Sequence, residues 1–548
     1  MAEKNKSGNN FIVQGGILAI AGIISRIIGF IYRVPLQNTI GDAGMGYYAA
    51  AYQIYSIMLI ISSYSLPVAV SKLVSAKVAK GQYKNARKVF HGALLFATLT
   101  GGATCLVVLF GADTLAGNIM SMPKSAIALR MLAPTLLIVA LMGVVRGYFQ
   151  GLGTMMPTAL SQLIEQIVNA IISVVAGLYL YDYGKKVADL LKDSAYQPAW
   201  GAAGGTLGTG AGALAGLIVL IIMFLIHKKG FKRNIKRDIS GKVDSYGKIF
   251  RIIIVTVLPV ILSTTIYNIS DTLDQGIFNY VMDLKGYSAI KAEYWGMYSS
   301  KYRVLTNVPI ALANALCSSM MPALTACIER GERKSARHKV AIATRFVMII
   351  SIPCAVGLAV LGRPVISLMF TGEVDIPATL LKIGSSSVVF YSLSTLSNGV
   401  LQGIDKMRIP VRNAAIALVL HLGILYVTIG VMDLKLYGVV AACVSFALIM
   451  CILNWLSIAK YLHYHQEIMR TFIIPLISSG IMGVIVWVIY YIMSKSMSDI
   501  ISVTVSVAVG VVVYFIVLLL LKGVRENEIR SFPGGRLIVR IARIFHLL

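Results

Sequence analysis

The sequence predicts an all-α integral membrane protein of fourteen transmembrane helices, arranged as two pseudo-symmetric six-helix lobes followed by two further carboxyl-terminal helices. Three observations predict it. Of the 548 residues, 57% are hydrophobic and only 13% charged, with a mean hydropathy of +0.78, a balance that soluble domains do not reach. The loops between the apolar stretches alternate between strongly basic and mixed or sparse. Two pairs of loop motifs also recur at nearly one spacing, the mark of an internal repeat.

Apolar stretches of about 20 residues are what a helix needs to cross a bilayer core. They fall at 11–32, 46–70, 89–110, 127–147, 157–181, 204–226, 250–281, 295–322, 341–361, 384–402, 412–432, 437–459, 471–493 and 499–521. The opening MAEKNKSGNN is polar, and no small-residue cleavage site closes the first apolar run, so the first helix is expected to remain in place.

The loops orient these spans. Lys72, Lys77, Lys80, Lys84, Arg87 and Lys88 fill the second loop, and Lys228, Lys229, Lys232, Arg233, Lys236 and Arg237 the sixth. Arg330, Arg333, Lys334, Arg337 and Lys339 fill the eighth, and Lys406, Arg408 and Arg412 the tenth. The odd-numbered loops are mixed, as at Asp113 and Lys124, or at Glu373 and Asp375. By the positive-inside rule both termini and the even loops are expected to be cytoplasmic. The net charge of +27 is therefore spent on orientation, and no nucleic-acid partner is expected.

In the repeat, GQYKNAR runs from Gly81 to Arg87 and GERKSAR from Gly331 to Arg337, 250 residues later. RGYFQGLGTMMP, Arg146 to Pro157, is answered by NGVLQGIDKMRIP, Asn398 to Pro410, with Gln150-Gly151 and Gln402-Gly403 offset by 252. Each copy holds an even number of spans, so both insert in one orientation about an axis along the membrane normal, with a cavity expected between them. The expected organisation is an N-lobe at 1–228, a basic cytoplasmic linker at 229–248, a C-lobe at 249–460, a further helix pair at 461–522 and a cytoplasmic tail at 523–548. In that tail Arg536, Arg540 and Arg543 share one face of an amphipathic helix suited to an anionic leaflet.

Few charges lie at membrane depth. Arg26 and Arg33, in SRIIGFIYRVP, are two helical turns apart and project from one face, about 10 Å apart along the axis. An arginine at the bilayer centre costs about 2.5–3.5 kcal/mol on insertion scales. The pair either snorkels to headgroups or forms a cationic strip in a water-filled cavity, suited to a phosphorylated substrate. Glu165 in span 5, and Asp271 and Asp274 on one face of span 7, either pair statically with other charges or hold a coupling Na⁺ or H⁺. Span 7 is the repeat partner of span 1, so the acidic pair is expected to face the arginine strip. Lys301 and Arg303 enter span 8, where they line the cavity or reach the outer interface.

Other features read as structural. The six cysteines make no CxxC pair and lie mostly in apolar stretches, so neither a disulfide nor a metal is expected. His463 and His465 stand in a basic loop and are expected to be solvated. GAAGGTLGTGAGALAG, Gly201 to Gly216, lacks the GK[ST] ending of a phosphate loop and reads as close helix packing through small residues. An enzyme is not expected, because the longest outer loop, 182–203, is too short to build a second-substrate face.

SRIIGFIYR, LPVAVSKLVS from Leu66 to Ser75 and VRGYFQGLGTMMPTALSQLIEQIVN from Val145 to Asn169 resemble the polysaccharide-biosynthesis branch of the MOP exporter superfamily. Within it the match is to MurJ-type lipid II flippases and their relative, stage V sporulation protein B. The resemblance implies MATE-like lobes plus a carboxyl-terminal helix pair that accommodates a lipid tail. It also implies cavity arginines in the first and eighth helices. Arg26 matches in its Ser25 to Gly29 context, Arg33 stands one residue from a second family arginine, and Arg303 falls near the eighth-helix arginine. The Arg-Arg pair that some members carry late in the second helix is missing here, where the chain reads SSYSLPVAVSK.

The activity so implied is moving an undecaprenyl-pyrophosphate-linked glycan, foremost lipid II, from the inner to the outer leaflet by alternating access, with Arg26, Arg33, Arg303 and Lys301 on the diphosphate. No cofactor is implied beyond an ion gradient or the membrane potential. The partners are the lipid-linked glycan and membrane lipids, and the setting is a monomer in the bacterial cytoplasmic membrane. A flippase for another lipid-linked oligosaccharide and a cation-coupled multidrug antiporter stand as alternatives.

Overall fold

The computed structural model describes residues 2–236, 238 and 244–524, and every regular element among them is a helix. The chain packs as two compact units that divide after Gly296. The first holds α1 (Ala2–Ile31), α2 (Arg33–Ser62), α3 (Leu66–Ala79), α4 (Tyr83–Thr114), α5 (Ala126–Gly151), α6 (Met156–Leu191), α7 (Tyr196–Lys236), α8 (Tyr246–Leu284) and nearly all of α9 (Lys291–Met297). The second holds α10 (Arg303–Glu329), α11 (Arg333–Met369), α12 (Asp375–Gly384), α13 (Ser386–Gly403), α14 (Arg408–Leu425), α15 (Lys435–Leu462), α16 (Ile474–Met493) and α17 (Asp499–Leu520).

Among the described residues ten helical segments are long and apolar enough to cross a membrane, eleven if α12 and α13, bent by 48°, count as one. Helix boundaries depart from the sequence reading: the expected span 46–70 is divided between α2 and α3, and 295–322 between α9 and α10, and two further departures change the course of the chain. The first span does not stop at residue 32: Tyr32 N–H donates to the Ile28 carbonyl and Leu36 N–H to the Tyr32 carbonyl, so α1 runs into α2 and the chain turns only at Gly41, with φ of 71°. The expected outer loop 182–203 is mostly helix, because α6 extends to Leu191 and α7 begins at Tyr196. Small residues make that long hairpin possible. Gly204, Gly208 and Gly212, one turn apart on α7, rest on Ala176, Ser173 and the Glu165 carbonyl of α6. Ser173 Oγ donates to the Gly205 carbonyl at 2.8 Å, so the glycine-rich stretch is a packing seam.

The repeat is visible in backbone geometry. Gly81 and Gly331 both take φ near +70°, their N–H groups donate to Val78 and Ile328, and the next N–H groups donate to Lys77 and Cys327. The other pair of turns matches equally: Gly153 N–H donates to Gln150 and Thr154 N–H to Phe149, while Asp405 N–H donates to Gln402 and Lys406 N–H to Leu401. There the left-handed residue is glycine in one copy (φ 82°) and aspartate in the other (φ 60°). Aspartate tolerates this region better than most residues because its short polar side chain bonds locally.

A third correspondence emerges at the same spacing of 250: Gly46-Tyr47-Tyr48 with Tyr52, and Gly296-Met297-Tyr298 with Tyr302. The two glycines meet. Gly46 lies against the Ala292 carbonyl and Gly296 against the Asp42 carbonyl, so tightly that a Cβ on either would overlap the oxygen it faces. The contacts are reciprocal, since 42 and 292 are separated by that same spacing.

The expected lobe boundary at 228 and 249 does not coincide with the packing boundary. Ile249, Ile253 and Val257 of α8 share a core with Val74, Ala86, Val89 and Phe90 of α3 and α4. Just before α8, Asp244 accepts from Lys77 at 2.5 Å and Lys248 at 2.8 Å, and its N–H donates to Asn85. Those two ammonium groups, Lys248 first, hold the Asp244 carboxyl below the usual carboxylate range. At the other end of α8, Asn279 donates to the Met120 carbonyl and Lys291 to the Ser121 carbonyl and Asp283. Span 7 thus packs with the first unit at both of its ends.

In the second unit α16 and α17 pack on α11 through Met482, Val486, Leu518 and Ile349, and the Tyr514 hydroxyl donates to the Ile349 carbonyl at 2.8 Å. The expected amphipathic helix of the tail lies outside the described residues, as do residues 237 and 239–243 of the basic linker, whose first part, 229–236, continues α7.

Candidate functional site

In the first unit, α1 lays Ala21 and Ser25 inward toward α6, which leaves Arg26 exposed, with no hydrogen-bond or ion-pair partner among the described residues. Arg33, two turns on, is half-buried among Tyr32, Tyr48 and Tyr52. These tyrosines form a wall: Tyr48 and Tyr52 stack with ring centroids 5.7 Å apart, and Tyr55 continues it at 5.4 Å. The Tyr32 hydroxyl is met by Asn169 Nδ2 at 3.5 Å.

Glu165 is engaged by Arg146, whose Nη2 lies 2.7 Å from Glu165 Oε2 and whose Nε donates to Ser161 Oγ at 3.0 Å. This pair joins α5 to α6. Asp274 is buried and Asp271 partly so on α8, which packs along α2, α3 and α4 rather than along α1. Among the described residues the expected apposition of the acidic pair with the α1 arginine strip is not a packed helix contact.

In the second unit Arg303 lines a small open pocket of about 70 Å³ with Tyr298, Tyr302, Thr306, Asn307, Ser387 and Tyr391. A wide π-helical turn over Tyr298–Tyr302 precedes α10 and sets these side chains. The Arg303 guanidinium lies 5.9 Å from the centre of the Tyr298 ring, which stacks on Tyr302 at 5.5 Å. Tyr302 donates to the Gly384 carbonyl at 2.9 Å, where α12 bends into α13, and meets Ser387 Oγ at 3.0 Å. The Tyr298 hydroxyl reaches Cys443 Sγ at 3.1 Å. The result is a guanidinium held on an aromatic pair and ringed by hydroxyl, thiol and amide groups. Such a setting grips anionic oxygens by charge-assisted hydrogen bonds.

Lys301, expected beside Arg303, goes elsewhere. It is fully buried, and its ammonium donates to the Thr371 and Glu373 carbonyls at 2.9 and 2.8 Å. Being one turn-step round the helix from Tyr302, it points away from the pocket and pins the 371–373 loop. Among the described residues no three His, Cys, Asp or Glu side chains are placed to hold a metal ion, and all six cysteines are unpaired.

Sequence reasoning missed two participants. The tyrosine pairs carry a signal, the Gly-x-Tyr-x-x-x-Tyr spacing shared by Gly46–Tyr52 and Gly296–Tyr302. Arg146 opens the RGYFQGLGTMMP motif, and nothing in its local sequence pairs it with Glu165, nineteen residues on and across a helical hairpin.

The polysaccharide biosynthesis protein family matches residues 12–328, and the MatE family matches residues 303–427. The chain is 26% identical over 488 residues to the lipid II flippase MurJ of Bacillus subtilis (strain 168), covering 86% of each. It is 24% identical over 529 residues to stage V sporulation protein B of the same organism, covering 96% of this chain and 98% of that protein. Among solved structures, a lipid II flippase MurJ in an inward closed conformation shares the fold with a TM-score of 0.67 at 17% identity, over 91% of this chain and 97% of that one. An inward-facing MATE family multidrug transporter of the MOP superfamily follows at a TM-score of 0.62 and 15% identity, over 80% and 94%. By their names, two of these relatives are lipid II flippases and one is a multidrug transporter, none of them an enzyme.

Proposed function

Because the chain belongs to the polysaccharide biosynthesis protein family of the MOP superfamily, we propose that it flips an undecaprenyl-pyrophosphate-linked peptidoglycan precursor, lipid II, from the inner to the outer leaflet by alternating access. The observation that carries this reading is the Arg303 pocket. A guanidinium backed by Tyr298 presents a planar fork to two oxygens of a diphosphate at once, which a lysine or a neutral donor does not. Likeness to a lipid II flippase along most of the chain supports the same substrate class.

In this reading Arg26 and Arg33 supply the first-unit share of the diphosphate contact, and Arg303 the second. The N-lobe and C-lobe of the repeat alternate about the substrate, and the prenyl tail stays in lipid beside α16 and α17. The termini and the even loops face the cytoplasm of a bacterium, and the monomer is the working unit. With the cell interior negative, outward movement of an anion is favoured by about 2.3 kcal/mol per charge per 100 mV of full traversal. The carboxylates Asp271 and Asp274 are the candidates for a coupling Na⁺ or H⁺. Stage V sporulation protein B, matched over nearly the full chain, favours a second reading in which the cargo is another lipid-linked glycan.

Depletion of the protein, followed by a leaflet-accessibility assay for lipid II, tests the proposal. Lipid II is expected to accumulate in the inner leaflet, and complementation is expected to fail with Arg26→Ala and with Arg303→Ala while both variants reach the membrane. Unchanged lipid II exposure with loss of another surface glycan would move the assignment to the second reading. Normal growth of both variants would remove the arginine site.

A further inference from the structure

At the basic end of α14 and α15, away from the Arg303 pocket, two lysines from different elements converge on one aromatic ring. Lys406, in the turn before α14, lies 5.4 Å from the Tyr461 ring centre, and Lys460, in the last turn of α15, lies 5.9 Å from it. Both lysines and the ring are exposed, and among the described residues neither ammonium has a carboxylate partner, the neighbouring Asp405 included. Arg408 stands one turn-step further, also exposed. Like charges gathered without an acid attract an anion from outside the chain.

The helices below this cluster say which anion. On α15 the exposed Ile452, Trp455 and Leu456 lead up to Lys460 at helical spacing. On α14 the exposed Ile416, Val419 and Leu420 form a matching stripe that ends at Arg412 and Arg408. Two apolar stripes on helices that pack together, each capped by cations at the same end, match the acyl chains and headgroup of a lipid, and Trp455 lies below those cations as an interfacial aromatic does. We propose that Lys406, Lys460 and Tyr461 form a binding site for the headgroup of an anionic phospholipid, with its acyl chains along α14 and α15. The proposed topology puts this end at the cytoplasmic leaflet, whose anionic lipids attract clustered basic side chains. The site rests on its own geometry and not on the identity of the transported lipid.

Native mass spectrometry of the full chain in detergent tests it, with dioleoylphosphatidylglycerol and dioleoylphosphatidylcholine titrated in parallel. One tight phosphatidylglycerol site is expected, weakened about thirtyfold in the Lys406→Gln, Lys460→Gln double variant, with phosphatidylcholine binding unchanged. Lys495→Gln, at a lysine over Tyr491 far along the sequence, is expected to retain the site. Independently of any variant, raising salt is expected to weaken phosphatidylglycerol and not phosphatidylcholine. Undiminished phosphatidylglycerol binding by the double variant overturns the proposal. So does displacement by equimolar farnesyl pyrophosphate, which would give the site to a prenyl-linked diphosphate instead.

Discussion

Replacing Gly46 by alanine puts one methyl group where the structure has no room for it. The added Cβ would overlap the Ala292 carbonyl oxygen, lie 2.7 Å from its carbon and 3.0 Å from the Ala292 Cα. These neighbours are backbone, so no side chain can swing aside, and α2 and α9 must separate. Overpacking of this kind costs about 1–3 kcal/mol, which corresponds to about 5- to 150-fold in the population of the open crossing. Alanine also favours a helix over glycine by up to about 1 kcal/mol, which works in the opposite direction. Gly102→Ala on α4, where an added Cβ meets nothing within 4 Å, isolates that helix term.

The assay is maleimide labelling of a reporter cysteine at Met45, which is buried beside the crossing. In native membranes the reporter is expected to label about 5- to 150-fold faster with Gly46→Ala and with Gly296→Ala, and no faster with Gly102→Ala. Equal labelling in all three backgrounds would refute the idea that the reciprocal glycine contact holds these segments together.

Three further outcomes follow from the geometry. Glu165→Gln leaves Arg146 without its carboxylate at a half-buried site and is expected to lower stability by about 1–3 kcal/mol, read as the thermal midpoint of the purified protein, whereas Arg146→Met with Glu165→Leu should recover much of the loss. The Asp244 clip should respond to acid in a defined window. Its carboxyl is held below the usual range by Lys248 and Lys77, so its contribution is fully present above the ordinary aspartate value and is lost as pH falls through the depressed one. Hydrogen exchange at residues 244–250 should therefore quicken only in strong acid or in high salt, and quickening near pH 6 would contradict the assignment. Asp405→Gly relieves a left-handed aspartate and is expected to raise stability by up to about 1 kcal/mol, while Gly153→Ala at the matching turn should lower it by a similar amount; equal midpoints in chemical denaturation would oppose this.

Much of this was readable in the chain because bilayer physics writes long, simple signals. The apolar stretches fall in helices, and the paired loop motifs form turns that match in their hydrogen bonding. The glycine-rich run at 201–216 was legible as packing for the same reason, since four-residue spacing of small residues has one use on a helix. What escaped was set by neighbours rather than by local pattern. Nothing near Lys301 announces that the Thr371 and Glu373 carbonyls will claim it, seventy residues away. The loop expected at 182–203 contains charges that favour water, yet these sit comfortably on the exposed faces of helices that continue beyond the membrane-length core. The position of α8 was obscured because the repeat assigns it to one half while Ile249, Ile253 and Val257 pack with the other.

The mutual seating of Gly46 and Gly296 on each other's flanking carbonyls carries a consequence for heredity. A duplicated gene ordinarily frees one copy to wander while the other preserves the ancestral trait. Here a side chain acquired by either segment spoils a joint that both must share, so neither can drift alone. The turn at Gly153 and Asp405, which each copy makes for itself, has already diverged; the joint, which neither makes for itself, has kept glycine on both sides.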